Sequence, residues 1–397
     1  MTNKVPNIRF KGFTDDWEQR KLGDLSESFE YGLNSAATEY DGENKYIRIT
    51  DIDDDTREFK TDSLTSPEID LSNAENYILR EGDILFARTG ASVGKSYIYK
   101  SSDGLAYYAG FLIRARIKNN YNPEFIFQNT LTSQYEKFIK VTSMRSGQPG
   151  VNAQEYSQYK IMLPTKQEQD KIASHLRSLD NLITLHQRKC EQTKELKKFM
   201  LQKMFPKKGE KNPEIRFSGF TDDWEQRKVR DVADRFDNLR IPVAANLRVP
   251  GTTPYYGANG IQDYVEGFTH DGEFVLVAED GANDLKNYPV KCVKGRIWVN
   301  NHAHVLQGKQ NIADNQFLAF SINRTDIESL LVGGGRAKLN AETMMDMSLS
   351  LPKIEEQRSI GNYISTLDRL IILHQRKCEQ LKELKKFMLQ NMFPKKG

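Results

Sequence analysis

The chain has 397 residues, a formal net charge of +3 and an isoelectric point near 8.4, a length that allows about two or three domains. Three cysteines (Cys190, Cys292, Cys378) lack the spacing of a zinc site or a disulfide framework. Residues 1–20 are polar and charged, unlike a secretory signal, and no apolar run approaches the roughly 18 residues that span a bilayer. We expect a cytoplasmic protein without membrane association.

An aromatic and charged motif opens the chain and returns in its second half. Pro6–Lys21 (PNIRFKGFTDDWEQRK) is repeated as Pro213–Lys228 (PEIRFSGFTDDWEQRK). We interpret the motif as a structural turn that buries Trp17 against a neighbouring element, with ligand contact as the alternative. Because internal repeats determine architecture, the chain is predicted to be a tandem duplication.

The segment after the first motif predicts a mixed domain dominated by short strands. Strands are predicted where β-branched and aromatic residues are bounded by Gly, Asp and Asn, namely at Tyr46–Ile49, Asp83–Phe86, Ser96–Tyr99 and Phe111–Ile117. Apolar spacing predicts a helix over Pro123–Lys140.

A helix of about 40 residues, or about 60 Å, is predicted from Gln167 to Phe205. Its second part, Asp180–Gly209, returns as Asp368–Gly397 with four substitutions, inside a second long helix predicted from Glu355 to Phe393. The intervening segment does not resemble its counterpart in the first half. It predicts strands at Phe274–Ala278, Arg296–Val299 and Leu349–Pro352, a helix at Asp314–Leu331 and a Gly-rich loop at 333–336.

Apolar residues alternate at intervals of four and three along both long helices, which indicates a coiled-coil seam. The predicted seam comprises Ile172, Leu176, Leu179, Ile183, Ile360, Ile364, Leu367 and Ile371. His186 and His374 fall in this seam, and we interpret them as packed histidines. A second stripe (Leu182, Leu185, Leu196, Phe199) is predicted to face another protein.

The fold class predicted is α+β: two mixed domains joined by two long helices, packed as an antiparallel coiled coil about a pseudo-twofold axis. The first domain is predicted at residues 1–165, the central helix at 166–206, the second domain at 207–352 and the C-terminal helix at 353–397. Two unlike inserts held at the ends of a rigid spacer suit a protein with two separate recognition surfaces.

Motifs of catalysis are near misses in this sequence. Thr89–Ser96 (TGASVGKS) has three residues between Gly90 and Gly94, where a phosphate-binding loop needs four, and a strand pattern follows instead of a helix. Asn122–Phe125 (NPEF) lacks the second proline of an amino-methyltransferase motif. The acidic run 51–55 is interpreted as a solvated loop, and the histidines of HAH (302–304) lack further ligands. We expect no catalytic residue, metal or cofactor in this chain.

The inserts instead carry side chains that hydrogen-bond to base edges, such as Arg to guanine and Asn or Gln to adenine. Each residue could equally serve in a turn or cap. The DNA-binding candidates of the first insert are Arg88, Thr89, Ser92, Lys95, Tyr107, Tyr108, Arg145, Ser146 and Gln148. Those of the second insert are Tyr255, Tyr256, Asn259, Gln262, Asn283, Asn300, Asn301, His302, Arg336 and Lys338.

The whole chain resembles the specificity subunits of type I restriction–modification systems. The resemblance is carried by the order of variable and repeated segments, by QEQDKIA (167–173) and IEEQRSI (354–360) after their Leu-Pro pairs, and by PYYGANG (254–260) and NNHAHV (300–305). It implies two target recognition domains that read a bipartite, asymmetric site in double-stranded DNA. It also implies that the long helices dock two methyltransferase subunits and that restriction subunits join the complex. AdoMet, ATP and Mg²⁺ would be bound by those partners.

Two other interpretations remain open at this point. A nuclease or methyltransferase in its own right would need metal or AdoMet binding by this chain. A non-catalytic interaction scaffold would lack DNA specificity of its own.

Overall fold

The computed structural model describes residues 5–144, 147–333 and 337–394. These residues form two compact units. Unit 1 contains the residues up to Arg188 together with those from His374 onward, and unit 2 contains Lys189–Leu373. These two units are defined by which residues contact one another in the folded chain. The four segments predicted above were instead defined by the repeats in the sequence. In the part of the chain that is described, no helix is long and apolar enough to cross a membrane.

The first half contains ten strands and five α-helices within its described residues. In chain order they are β1 (Glu18–Lys21), α1 (Leu22–Leu25), β2 (Ser26–Tyr31), β3 (Ala37–Glu39), β4 (Lys45–Ile47), β5 (Thr65–Pro67), β6 (Ile84–Ala87), β7 (Ser96–Ile98), β8 (Ala106–Tyr108), β9 (Leu112–Ile117), α2 (Pro123–Asn129), α3 (Ser133–Thr142), α4 (Ala153–Ser157), β10 (Lys160–Leu163) and α5 (Lys166–Lys203).

The second half has the same outline with longer strands. In chain order its elements are β11 (Glu225–Lys228), α6 (Val229–Val232), β12 (Ala233–Arg235), β13 (Pro250–Gly257), β14 (Gly260–Val265), β15 (His270–Ala278), β16 (Val290–Val299), β17 (Ala303–Gly308), α7 (Asn315–Asn323), α8 (Ala341–Met345), β18 (Ser348–Leu351) and α9 (Ile354–Asn391).

The two halves share a frame and differ in the sheet that the frame holds. In each half the strand that ends the front motif pairs antiparallel with the strand before the long helix, β1 with β10 and β11 with β18. The first half builds an antiparallel four-stranded sheet in the order β2-β9-β6-β7. The second half builds a six-stranded sheet in the order β12-β17-β15-β16-β13-β14, with one parallel pair, β13 and β16.

The long helices pack antiparallel within each unit, as predicted. In unit 1 the Asp180 carboxylate is 2.5 Å from Lys385 Nζ, and the Nδ1 atoms of His186 and His374 are 3.0 Å apart. Rising residue numbers on α5 therefore meet falling numbers on α9. In unit 2 the equivalent pair, Lys197 and Asp368, is 2.6 Å apart.

The predicted seam residues line this packing. All are buried except Ile371, which is half-buried. In unit 1, Leu179 and Ile183 of α5 share one apolar cluster with Cys378 and Leu381 of α9. The two helices therefore join the domain core instead of standing apart from it.

The Met-Phe pair after each long helix completes an aromatic core. Phe393 lies in unit 1 and contacts Trp17 and Phe125, with ring centroids 6.4 and 5.2 Å apart. In unit 2, Phe205 contacts Trp224 and Phe317 at 5.9 and 5.3 Å. Burial of Trp17 confirms the structural interpretation of the front motif. Unit 1 thus combines the two ends of the chain in one core.

An ion pair fastens each front motif to the base of a long helix. Arg9 donates through Nε and Nη2 to the buried carboxylate of Glu168 at 2.7 and 2.8 Å. Arg216 makes the same two-pronged contact with Glu356. Such bidentate pairs restrict geometry as well as adding energy, so the frame is repeated down to individual hydrogen bonds.

The predicted helices differ from the observed ones mainly at their ends. The helix predicted over Pro123–Lys140 is two helices, because the Thr132 side chain accepts from Tyr135 N–H and starts α3 as its N-cap. The helix predicted over Asp314–Leu331 ends at Asn323. Both long helices end two residues before the predicted Phe, because each Phe is followed by Pro, which disfavours helical geometry at the preceding residue.

Replacing Phe393 by Ala should destabilise unit 1, and replacing Phe205 should destabilise unit 2. Truncating a buried Phe costs about 3–5 kcal/mol. Hydrogen exchange measured by mass spectrometry should show faster opening of amides in the affected unit only. Phe387→Ala, at a position that is 51% exposed, is the matched control; the same loss of protection in all three variants would contradict the assignment.

Candidate nucleic-acid interface

Unit 1 gathers an arginine and two exposed aromatic rings at one edge of its four-stranded sheet. Strand pairing brings the end of β2, the end of β6 and the start of β9 together. There the Arg88 guanidinium lies 5.0 Å from the ring centre of Tyr31 and 6.0 Å from that of Phe111. Tyr31 is 41% exposed and Phe111 is 61% exposed. We name Tyr31, Arg88, Phe111 and the adjacent Thr89 and Gln148 the first-unit edge.

The loop before α4 brings Gln148 to this edge. Thr89 forms an isolated bridge with Gly150, and Gly90 N–H donates to the Pro149 carbonyl at 3.0 Å. Gly90 has φ +74°, and a Cβ there would lie 3.2 Å from Gln148 Nε2. The backbone geometry and the close approach both favour glycine. Three candidates from the sequence, Arg88, Thr89 and Gln148, are therefore neighbours in space.

Other first-insert candidates have structural roles. Tyr107 and Tyr108 are buried in apolar clusters. Lys95 is also buried; its Nζ contacts the carbonyls of Ile49 and Ile52 and the Asp54 carboxylate, at 3.4, 3.1 and 2.5 Å. A side chain enclosed in this way does not reach a DNA groove, which corrects the expectation for these three residues. The usual alternation of buried and exposed side chains along a strand does not apply to β8, because all three of its residues are buried.

Ser92 lines a cleft of about 810 Å³ in unit 1. Residues that line this cleft form two ion pairs, Lys95 with Asp54 and Lys385 with Asp180. Arg145 and Ser146, also predicted from the sequence, lie outside the described residues.

Unit 2 gathers most of its candidates in loops at one end of the six-stranded sheet. The Asn259 side chain donates to the Gly281 carbonyl and accepts from Asn283 N–H, at 2.9 and 3.0 Å. His302 Nδ1 contacts Asp280 at 2.5 Å, and Asp280 bridges to Lys338 through the backbone. We name the second-unit loops as the set Asn259, Asn283, Asn301, His302 and Lys338 together with Gln262, which lies in β14 and contacts Asn300.

Three candidates of the second insert, Tyr255, Tyr256 and Asn300, are buried and have structural roles. Tyr255 and Tyr256 are buried, and the Tyr255 hydroxyl accepts from Val243 N–H at 2.9 Å. Asn300 is buried, accepts from His302 N–H at 2.8 Å and donates to Gln262 at 3.4 Å. These residues shape the loops and do not face a partner, which corrects the prediction. Arg336 lies outside the described residues.

A charge network stands behind the second-unit loops. Asp237, Glu279 and His304 place potential metal-ligand atoms within 4.8 Å of one another, so the sequence-based view that the HAH histidines lack further ligands was wrong. Arg240 contacts Glu279 at 2.6 Å and Asp237 at 3.5 Å, and Lys338 contacts Glu279 at 2.8 Å. Two cationic side chains are therefore paired with the same carboxylates that a metal ion would need as ligands.

Carboxylate pKa values follow from this network. Burial acts to raise the pKa of Asp237, but the hydrogen bond from His304 and the charge of Arg240 outweigh it and hold the pKa below its ordinary value. Burial is likewise outweighed at Glu279, where Lys338 and Arg240 lower the pKa. Both groups are therefore carboxylates at neutral pH. In the same sheet, burial raises the pKa of the Cys292 thiol to about 12, which suppresses the thiolate form of that side chain.

Tyr31 and Phe111, the two aromatic residues of the first-unit edge, were not among the candidates predicted from the sequence. Tyr31 ends β2, and Phe111 lies in the turn directly before β9. Phe is usually buried and Tyr is intermediate, so residue type does not predict the exposure of either ring. Exposed aromatic rings beside an arginine indicate a candidate interface, but the sequence does not show that these residues are neighbours until the strand register is known. The one sequence feature available was Gly110, which precedes Phe111 and marks a turn.

The chain matches the type I restriction modification DNA specificity domain twice, over residues 14–195 and 221–383. The two matches together cover most of the chain. It belongs to the type I restriction–modification specificity family. The specificity subunits of this family bind DNA and are non-catalytic, because other subunits of the complex carry the enzymatic activity.

Individual relatives agree with this assignment. The MjaVIII specificity subunit of Methanocaldococcus jannaschii is 22% identical over 399 residues, covering 94% of this chain and 91% of that subunit. A Haemophilus influenzae protein described as a type I restriction enzyme specificity subunit is 42% identical over 146 residues, which cover 37% of this chain and 38% of that protein.

The fold also has a solved counterpart. The crystal structure of the S subunit of the type I restriction–modification system from M. genitalium superposes with a TM-score of 0.72 at 12% identity, covering 98% of this chain and 99% of that one. At this identity the likeness concerns the fold. It matches the α+β architecture with two long helices predicted from the sequence.

Unit 2 should lose stability as the pH falls below about 6.5. Burial lowers the pKa of His270, whose Nε2–H donates to the Phe236 carbonyl at 3.1 Å while Nδ1 accepts from Thr269 at 2.7 Å. The unfolded chain therefore takes up this proton at higher pH than the folded chain, and stability declines below the ordinary value of 6.5. The lowered pKa values of Asp237 and Glu279 extend the decline below their ordinary values of 3.8 and 4.5.

Urea unfolding of the chain from pH 8 to about pH 4, with hydrogen exchange to identify unit 2, measures this effect. His270→Gln should reduce the slope between about pH 6.5 and pH 5 without changing the m value. A slope equal to that of the wild type in this window would contradict the role given to His270.

Proposed function

We propose that this subunit reads a bipartite, asymmetric DNA site, with the first-unit edge at one half-site and the second-unit loops at the other. The observation that carries the proposal is a duplicated frame holding two unlike sheets. The frame repeats its Arg–Glu ion pair and its Trp–Phe core in both units. The four-stranded and six-stranded sheets differ in strand number and order, which suits two half-sites of different sequence.

The two surfaces offer different contact chemistry. The first-unit edge presents a cation stacked on aromatic rings, which suits a guanine edge or a thymine methyl group. The second-unit loops present amides, an imidazole and Lys338, which suit adenine and phosphate contacts. Because the net charge of the chain is only +3, we expect modest affinity for DNA alone and a strong dependence on salt.

We further propose that each unit docks one methyltransferase subunit on the exposed stripe of its helices. Unit 1 exposes Leu182 and Leu185 of α5 with Leu384 and Phe387 of α9. Unit 2 exposes the repeat equivalents, which are Leu370 and Leu373 of α9 with Leu196 and Phe199 of α5. Each unit therefore carries the same set of four exposed apolar side chains. A repeated apolar patch supports two copies of one partner.

In this scheme the partners supply the chemistry. Methyltransferase subunits would bind AdoMet and modify adenine, while restriction subunits would use ATP and Mg²⁺. This chain would contribute position: two readers connected in one molecule act as a bivalent ligand whose effective concentration depends on spacing. Action on cellular DNA places the complex in the cytoplasm.

Leu185→Asp and Leu373→Asp should each remove one of two methyltransferase subunits, and the double variant should remove both. An acidic side chain inside an apolar contact loses its hydration without gaining a partner, which weakens binding strongly. Native mass spectrometry of the copurified complex measures the stoichiometry. Glu191→Lys and Glu379→Lys, which are exposed and lie at neither i±3 nor i±4 from any side chain of the stripe, are matched controls and should retain two copies. Full assembly of the Leu185/Leu373 double variant would rule out docking on this stripe.

Expression with the cognate methyltransferase in a host without adenine methylation, followed by mapping of N6-methyladenine, tests the DNA role. A bipartite motif with unlike halves is expected. Exchange of residues 229–347 for the corresponding segment of another specificity subunit should change one half and leave the other half intact. Assembly of a complex without any sequence-selective methylation would favour a scaffold with no DNA specificity.

A further inference from the structure

Arg88 is held in place before any ligand arrives. Its N–H donates to the Phe111 carbonyl at 3.1 Å, and its carbonyl accepts from Val151 N–H at 2.9 Å. The Tyr31 ring beneath its guanidinium is itself fixed, because the Tyr31 hydroxyl accepts from Ala153 N–H at 3.2 Å. A side chain ordered in this way loses little conformational entropy on binding.

The charge of Arg88 is free of the ion pairs that occupy structural arginines. Arg9, Arg114 and Arg116 each pair with a carboxylate. No carboxylate of the described residues forms an ion pair with Arg88, which rests instead on two ring faces. Stacking uses the face of a guanidinium and leaves the N–H groups along its edge available as donors in one plane.

Two ligands can accept a planar pair of N–H donors, the guanine edge and the phosphate group. The aromatic surroundings favour guanine. Phe111 is 61% exposed beside Arg88, and an apolar ring gains little against a hydrated phosphate, whereas it can contact a neighbouring base edge or thymine methyl group. Gln148 is exposed next to Gly90, so its side-chain amide is available to a base that lies beside the guanine.

Resting on the function proposed above, we infer that Arg88 determines specificity by donating two hydrogen bonds to O6 and N7 of one guanine in the half-site read by unit 1. The half-site of unit 1 is therefore required to contain a G·C pair at one invariant position. Tyr31 and Phe111 act as positioning residues that keep the guanidinium plane aligned with that base pair.

The first experiment compares methylation motifs of the Arg88→Lys and Arg88→Ala complexes with that of the wild type. Lysine keeps the charge but lacks the planar pair of donors, so both variants should accept other bases at one G·C position of one half-site. The half-site of unit 1 is the half that survives exchange of the second insert. Arg80→Lys, at an exposed position of the same unit, is the control and should leave the motif unchanged. An unaltered motif in both Arg88 variants, or a uniform loss at every position, overturns the inference.

A second experiment modifies the DNA instead of the protein, so that it does not depend on the assembly of the Arg88 variants. In the wild-type complex, each guanine of the unit 1 half-site is replaced by 7-deazaguanine, which lacks the N7 acceptor, and DNA affinity is measured. One position should lose about 10- to 100-fold in affinity, and Arg88→Ala should abolish the sensitivity at that position. A half-site without guanine, or guanines that are all insensitive, overturns the role of Arg88. A wild-type complex without a bipartite motif would instead overturn the proposed function itself.

Discussion

The structure depends on the insertion of a Phe side chain after each long helix into an aromatic core built around the Trp of a front motif. The contacts of Phe393 with Trp17 and of Phe205 with Trp224 are both edge-to-face, a geometry that adds to the energy of apolar burial. In unit 1 this contact joins residues from both ends of the chain. Unit 1 cannot complete its core until the last helix has been made, so its native contacts are separated by almost the entire sequence.

The repeated frame explains how one chain can carry two unrelated recognition surfaces. Three contacts that hold an insert to a long helix occur in both units: the Trp–Phe core, the bidentate Arg–Glu pair, and the side chains of Gln169 and Gln357, which accept from the N–H groups of the residues before α2 and α7. Apolar residues of each sheet share one cluster with the long helices, as Phe86 does with Ile172 in unit 1 and Val275 with Ile360 in unit 2. Two sheets of different topology thus occupy the same frame.

The two proposed recognition surfaces carry restrained side chains and little unpaired charge. At the first-unit edge, Arg88 stacks on rings that are fixed by backbone hydrogen bonds. In unit 2, charged groups beneath the loops are paired with one another, as in Glu279 with Arg240 and Lys338. Such pairing leaves little unbalanced charge to attract DNA nonspecifically. Affinity would then come from two half-sites and from the partner subunits acting together.

Sequence alone determined the duplication, the long helices, most strands, and the packing of the two long helices on each other. The heptad seam indicated the packing, and the presence of two helix copies in one chain indicated its antiparallel direction. Periodicity reports these features because neighbours along a helix or strand are neighbours in space. Residue type was a poor guide to the candidate interface. Tyr107, Tyr108, Tyr255 and Tyr256 have the chemistry of base contacts but lie in the core.

Only the tertiary structure decided which candidates meet. Tyr31, Arg88, Phe111 and Gln148 are spread over more than a hundred residues of sequence. The first three become neighbours because β9 pairs with both β2 and β6, and Gln148 joins them through the bridge between Thr89 and Gly150. Strand register is a long-range property, and a shift of one residue would turn Tyr31, the last residue of β2, to the other face of the sheet. No local pattern contains that information, so the exposed aromatic rings at the first-unit edge could be recognised only in the folded chain.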